Sequence, residues 1–293
     1  MTATNSPFRY PGGKFYARKL ILEYIPKHDY YVEPMCGGAS IFFAKEKAKR
    51  NILNDMDPEL VNCLIQIRDS PKELADFLKG IPASKEKHAY FKNEFKPKNK
   101  LEKAARWFYL NRTSYSGIMN MKNCYWGYGD KFSMRPENWR NHLVRISIKL
   151  QGVEILNKDF EEVINNSPDG AFVFLDPPYF NRDQDKFYTF SFSKDDHTRL
   201  MNVLKKNSNR LKFLLTYDNH EEIKKMYSWA KSIMDKEWNY TIYRTDDQSK
   251  NGDSKNKKHN GKRYKGKEAF ILNYKNSTPA LTHFFQEAVK EVV

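Results

Sequence analysis

Cysteine is scarce: Cys36, Cys63 and Cys124 are the only three in 293 residues, and they lie far apart. That excludes a disulfide framework and a spaced zinc site, and it fits a reducing compartment. No metal is expected. Long apolar runs are lacking as well. No stretch approaches a membrane span, and the opening MTATNSPFRYPGGK has no apolar core of a signal peptide. An intracellular, cytoplasmic chain with no membrane partner is the expectation. Acid is in deficit, with 36 Asp+Glu against 51 Lys+Arg and a net charge of +15. Such a charge does not decide the fold, but it suits a polyanionic partner, because Lys and Arg displace counterions condensed on a phosphate backbone. No internal repeat is evident. What is plentiful is core material: 40 % of residues are hydrophobic and 15 % aromatic, which argues against global disorder.

Two blocks have strand–turn–helix rhythm. In the first, Tyr30-Tyr31-Val32 is a β-prone run and Met35-Cys36-Gly37-Gly38-Ala39 a small-residue turn. A helix is expected from Ile41 to Ala48, then a second apolar run, Asn51-Ile52-Leu53, closed by Asp55. This reads as a β-α-β unit with an acid after its second strand. The second block offers strands at Val153–Leu156, Ala171–Leu175, Leu211–Thr216 and Glu268–Tyr274, with a helix from about Lys194 to Lys206. The continuous apolar run 171–175 suits a strand buried on both faces. Strands alternating with helices predict an α/β, mostly parallel, doubly wound sheet.

Residues 63–150 break this rhythm and read as an inserted, mainly helical domain, which leaves 1–62 and 151–293 as a discontinuous second domain. The Lys/Asn/Gly-rich stretch 244–267 reads equally as a loop that orders on a phosphate backbone or as an inert linker.

Asp176-Pro177-Pro178-Tyr179 follows the apolar run 171–175 directly, at a carboxyl strand end, where open α/β sheets gather functional residues. The alternative is an ordinary strand-ending Asp with a Pro-Pro turn and a packing tyrosine. The residue types suit one particular chemistry. The amino nitrogen of adenine is a poor nucleophile, because its lone pair is delocalised into the ring. Two acceptors on its two hydrogens would draw it toward tetrahedral geometry. The Asp176 carboxylate supplies one acceptor and the Pro177 carbonyl the other. Proline fixes φ and has no N–H, so the turn presents carbonyls without a competing donor. Tyr179 offers a flat face for an extruded base.

With Phe8-Arg9-Tyr10-Pro11-Gly12-Gly13-Lys14, Val32-Glu33-Pro34-Met35-Cys36-Gly37-Gly38-Ala39-Ser40 and Asp176-Pro177-Pro178-Tyr179 in that order, the chain resembles the Dam-like, alpha-class DNA adenine-N6 methyltransferases from about residue 7 to 275. The resemblance implies a Rossmann-like methyltransferase sheet with an inserted target-recognition domain. It implies S-adenosylmethionine as methyl donor, duplex DNA as substrate, base flipping and direct in-line transfer to adenine N6. It also allows a cognate restriction endonuclease as partner and a nucleoid-associated site in a prokaryote or phage. Catalytic roles fall on Asp176, Pro177, Pro178 and Tyr179. Cofactor contacts fall on Tyr10, Lys14, Gly37, Gly38, Asp159, Phe160 and Asp176, with Asp55 on the ribose hydroxyls. Asp57 could instead cap the following helix, and Asp55 is favoured. Gly12-Gly13-Lys14 could be a phosphate loop, but it lacks the full Walker pattern and a preceding strand.

The stretch Asn111-Arg112-Thr113-Ser114-Tyr115-Ser116-Gly117 resembles the class's DNA-interface loop. DNA contacts are accordingly expected from Asn111, Arg112, Tyr115 and Lys122, amid Tyr109, Tyr125, Trp126, Tyr128 and Lys131, while Trp107 is expected in the core. Two departures stand out: Met35-Cys36 in the glycine turn, and a poor match after Gly117 to GATC-type members, which leaves the recognition sequence undefined. Rival functions are cytosine N4 or glutamine amino methylation, where Ser or Asn usually precedes Pro-Pro, and a catalytically inactive DNA-binding relative. Ring-carbon cytosine methylation needs a Cys nucleophile, typically after Pro, and no Pro-Cys pair occurs.

Overall fold

The computed structural model describes residues 4–129, 133–180, 189–239 and 265–275; Lys131 and nearly all of the basic stretch 244–267 lie outside them. In chain order the elements are α1 (Arg18–Leu22), β1 (Tyr30–Glu33), α2 (Ser40–Ala44), β2 (Arg50–Asn54), α3 (Pro58–Asp69), α4 (Pro71–Leu78), α5 (Lys85–Asn93), α6 (Lys100–Thr113) and α7 (Trp139–Leu150). They continue as β3 (Val153–Leu156), α8 (Phe160–Asn165), β4 (Phe172–Leu175), α9 (Lys194–Asn207), β5 (Lys212–Asp218), α10 (Glu221–Met226), β6 (Ser232–Asn239) and β7 (Lys265–Leu272).

The described strands form one sheet in the order β3-β2-β1-β4-β5-β7-β6. The first five are parallel, and β7 runs antiparallel to both neighbours. Strand order reverses between β1 and β4. The crossover connections diverge there, so a crevice opens at the carboxyl ends of those two strands.

Side-chain alternation feeds two cores. Tyr31, Leu53, Phe172, Phe174, Leu214, Phe270 and Leu272 join residues of α3, α4, α6 and α7 in one apolar cluster. Val32, Ile52, Val173, Leu175, Phe213, Leu215 and Ile271 join α8, α9 and α10 in the other. Both faces are covered, which is why β4 is a continuous apolar run.

Two sequence expectations shift. The helix expected to reach Ala48 ends at Ala44, because Lys45 is extended (ψ 167°). The Asn51 amide then binds both backbone groups of Ala48, at 3.1 and 2.9 Å, and fixes the turn into β2. The expected division at 62/63 falls inside α3, which starts at Pro58 behind its cap Asp57. Helices of the 63–150 segment share one apolar cluster with a sheet face, so among the described residues the insert has no separate core.

Candidate active site

At the tip of β4, Asp176 Oδ1 accepts a hydrogen bond from the Thr216 hydroxyl at 2.9 Å and lies 2.6 Å from Lys14 Nζ. Thr216 is there because Leu175 pairs with Leu215 in the parallel register of β4 and β5, which sets the next residues side by side. Lys14 is 3 % exposed and donates to the Tyr179 hydroxyl at 3.0 Å and to the Gly12 carbonyl at 3.1 Å. Its ammonium also lies 3.7 Å from Glu268 Oε1, and Tyr179 donates to that same oxygen. A buried ammonium loses its hydration, so it persists only with such partners.

The open stacking face expected of Tyr179 is not presented. Its ring is 8 % exposed, packs in the second cluster and has Lys14 Nζ 5.1 Å from its centroid. Pro177 is buried, while Pro178 lines the cavity beside Asp176.

That cavity, about 300 Å³, runs along the crevice between β1 and β4. Tyr10, Lys14, Gly37, Gly38, Asp55, Asp159, Phe160 and Asp176, all expected from sequence to meet the cofactor, line it. Gly37 adopts φ +46°, and a Cβ there would sit 2.8 Å from the Tyr10 ring, so the turn tolerates only glycine. The Asp55 carboxylate accepts the N–H groups of Gly37 at 2.8 Å and Asp57 at 3.0 Å. Burial pushes its pKa up to about 6, against the pull of those donors. Asp57 takes the capping role, accepting from Glu59 and Leu60 at the start of α3. Glu33, also on the wall, is raised by burial to about 7 while accepting from the Tyr31 hydroxyl and the Phe42 N–H. Asp159 caps α8 and pairs with Arg199 at 2.8 Å; the Arg199 guanidinium lies 4.9 Å from the Phe160 ring centroid. This donor set fits S-adenosylmethionine. A carboxylate suits ribose hydroxyls, a bare glycine turn permits close backbone approach, and Phe160 and Met56 offer apolar faces to a purine.

The insert residues divide. Asn111 and Arg112 are buried, at 0 % and 7 % exposure, so neither is presented at the surface as a DNA contact. Asn111 instead clamps the backbone of Arg9, accepting its N–H at 2.9 Å and donating to its carbonyl at 2.7 Å. Gly117 (φ +72°) allows this approach: a Cβ there would lie 2.2 Å from the Arg9 carbonyl oxygen. Arg9 precedes Tyr10, so a single peptide ties the loop that follows α6 to the cavity wall. Burial lowers the Arg112 pKa to about 10. Tyr115 and Tyr125 are 40 % and 62 % exposed, and Lys122 is exposed. The Tyr115 N–H donates to the Tyr125 carbonyl at 2.8 Å, and Lys92 Nζ stands 5.2 Å from the Tyr125 ring centroid. Trp107 is core, edge-on to Phe8 at 4.5 Å.

Sequence reading missed Glu268, Thr216, Met56 and Arg199. Thr216 was inferable as the residue beside Asp176 on the next strand tip. Glu268 opens an apolar run, but nothing local told that its strand runs in reverse.

Comparison with known proteins gives the family. Residues 10–242 match the model of the D12 class N6 adenine-specific DNA methyltransferase family. The Type II methyltransferase M1.LlaDCHI of Lactococcus lactis subsp. cremoris is 28 % identical over 71 % of this chain and 79 % of its own. The Type II methyltransferase M.CviBI of Paramecium bursaria Chlorella virus NC1A is 31 % identical over 69 % of this chain and 79 % of its own. The DNA adenine methylase of Salmonella typhi is 23 % identical over 76 % and 84 %. The chain belongs to the D12 class N6 adenine-specific DNA methyltransferase family. It is an adenine-specific DNA methyltransferase with a Rossmann-like α/β fold.

Proposed function

We propose that the crevice cavity binds S-adenosylmethionine and that Asp176 activates the amino group of an adenine flipped out of duplex DNA. The observation that carries this reading is the position of Asp176: at a carboxyl strand tip, on the wall of a cavity that the Gly37–Gly38 turn and Asp55 also line. Asp55 is assigned to the ribose hydroxyls, Asp159 and Phe160 to the cofactor's adenine, and Tyr10 and Lys14 to the wall near the reacting atoms. When bound, the cofactor supplies a sulfonium methyl for in-line displacement. Asp176 and a carbonyl of the Pro177-Pro178 turn accept the two amino hydrogens, which frees the nitrogen lone pair. As the new N–C bond forms, Asp176 holds the proton the nitrogen sheds until solvent takes it. Positioning and fixed dipoles provide the acceleration, with no covalent enzyme intermediate.

Tyr115, Lys122 and Tyr125 are the residues assigned to DNA, with the basic stretch 244–267 on backbone phosphates. Two relatives are named Type II methyltransferases, and on that ground a restriction endonuclease of the same specificity is proposed as counterpart. The deciding experiment is incubation of the protein with labelled S-adenosylmethionine and genomic DNA, followed by modified-base sequencing. N6-methyladenine at one short motif is expected, and unmodified adenine throughout would refute the reading.

A further inference from the structure

Glu268 is 1 % exposed and sits on β7 opposite Asp218 of β5. It accepts from the Tyr179 hydroxyl and lies 3.7 Å from Lys14 Nζ, while Lys14 reaches Asp176 at 2.6 Å and Tyr179 at 3.0 Å. One ammonium therefore faces two carboxylates from two strands. They differ in access: the Asp176 side chain is 21 % exposed and the Glu268 side chain 2 %. Glu268 closes the inner side of the network, and Asp176 opens on the cavity.

An ammonium that paired with Asp176 alone would compete with adenine for the same carboxylate. Both hydrogen-bonding partners described for Asp176, Lys14 and Thr216, already fall on Oδ1. We propose that Glu268 is a positioning residue which, through Tyr179, holds Lys14 on the closed side, so that the cation neutralises the site without taking over the carboxylate that must receive the adenine amino group. The inference rests on the assignment of Asp176 to that amino group. Coulomb attraction in a buried site is strong and falls with distance, so a second carboxylate behind the ammonium offsets the pull of the first. Deleting the Glu268 charge leaves Asp176 as the stronger remaining attractor for Lys14 in this network. Glu33 of β1, whose pKa burial raises to about 7, lines the same cavity but is engaged by Tyr31 and Phe42.

Glu268→Gln keeps the shape and an oxygen for Tyr179 while removing the charge. The expected result is a loss of about tenfold or more in kcat, with KM for DNA and Kd for S-adenosylmethionine changed less than about threefold. Glu268→Asp should recover part of the loss. Tyr179→Phe deletes only the bridging hydroxyl, and its loss should not add to that of Glu268→Gln. A folded Glu268→Gln protein with unchanged kcat overturns the inference, as does a loss seen equally in cofactor affinity. If Glu268→Gln does not fold, Tyr179→Phe decides alone, on the same kcat-selective loss or its absence. Asp176→Ala, which removes every side-chain acceptor at that position, separates the two levels. If it remains active, the site assignment itself fails. If it is inactive while Glu268→Gln is kinetically normal, only the role of Glu268 fails.

Discussion

The strand tips and the loop proposed to meet DNA solve opposite problems. At the tips, Lys14, Asp176, Tyr179 and Glu268 bind one another within 3.7 Å, mostly out of water. Between Ser114 and Gly127, two tyrosine rings stand 40 % and 62 % exposed on a loop pinned chiefly by backbone bonds. Chemistry needs dipoles that are in place before the substrate arrives, because reorganising them adds to the barrier. Recognition of a deformable duplex can leave side chains to order on contact, at an entropic cost to affinity. Asn111 joins the two regimes by clamping Arg9, next to the cavity-lining Tyr10.

The sharpest test of this contrast is Asp176→Ala. It should lower kcat on the order of 10³-fold or more with DNA affinity within about twofold. A parallel loss of binding in gel-shift titrations would show that the two regions are not separable.

Next in size is Lys14→Met, which leaves two carboxylates facing each other without their cation. A destabilisation of about 3 kcal/mol in urea unfolding is expected alongside loss of turnover.

Asn111→Ala should cost about 2 kcal/mol of stability, because the Arg9 backbone N–H and carbonyl lose their partner. If only DNA affinity changed and the urea midpoint did not, Asn111 would belong to the recognition side after all.

Asp55 makes the contrast depend on pH. The ribose role proposed for Asp55 needs the ionised carboxylate, so cofactor affinity should weaken about tenfold per pH unit below about 6. Isothermal titration across that range should show this slope in the wild type and not in Asp55→Asn. The sign for stability is opposite. The folded chain holds this proton up to about pH 6, whereas the ordinary value is 3.8. The fold therefore binds more protons in that window, and the contribution of Asp55 to stability declines as pH rises through it.

The smallest effect belongs to the loop. Tyr125→Ala should remove about 1 kcal/mol of DNA affinity, the lower range for base stacking, and leave cofactor binding untouched. A loss of cofactor affinity in that variant would couple the loop to the cavity more tightly than the Arg9 clamp implies.

Strands, the glycine turn and the acid after β2 were legible because short-range pattern suffices for them. Alternation and apolar runs mark strands, and a positive φ demands glycine. The cavity lining was legible through motif order. Asn111 and Arg112 were ambiguous, because their residue types suit phosphate contact as well as internal bridging, and their burial is not written in the local pattern. The packing of the 63–150 helices was hidden for a related reason: they carry apolar faces, and no local signal says that those faces share a core with the sheet.

The chain's own pattern thus determined an α/β sheet, its order of motifs and an acid at the tip of β4. Only the folded molecule decided that Lys14, 165 positions before Tyr179, would lie between two carboxylates. The reason is the direction of β7. A parallel strand would have placed its last residues at the catalytic edge, whereas an antiparallel one brings Glu268, near its beginning, to that edge. Strand direction is set by which neighbour supplies the hydrogen-bonding partners, and that is a property of the whole sheet.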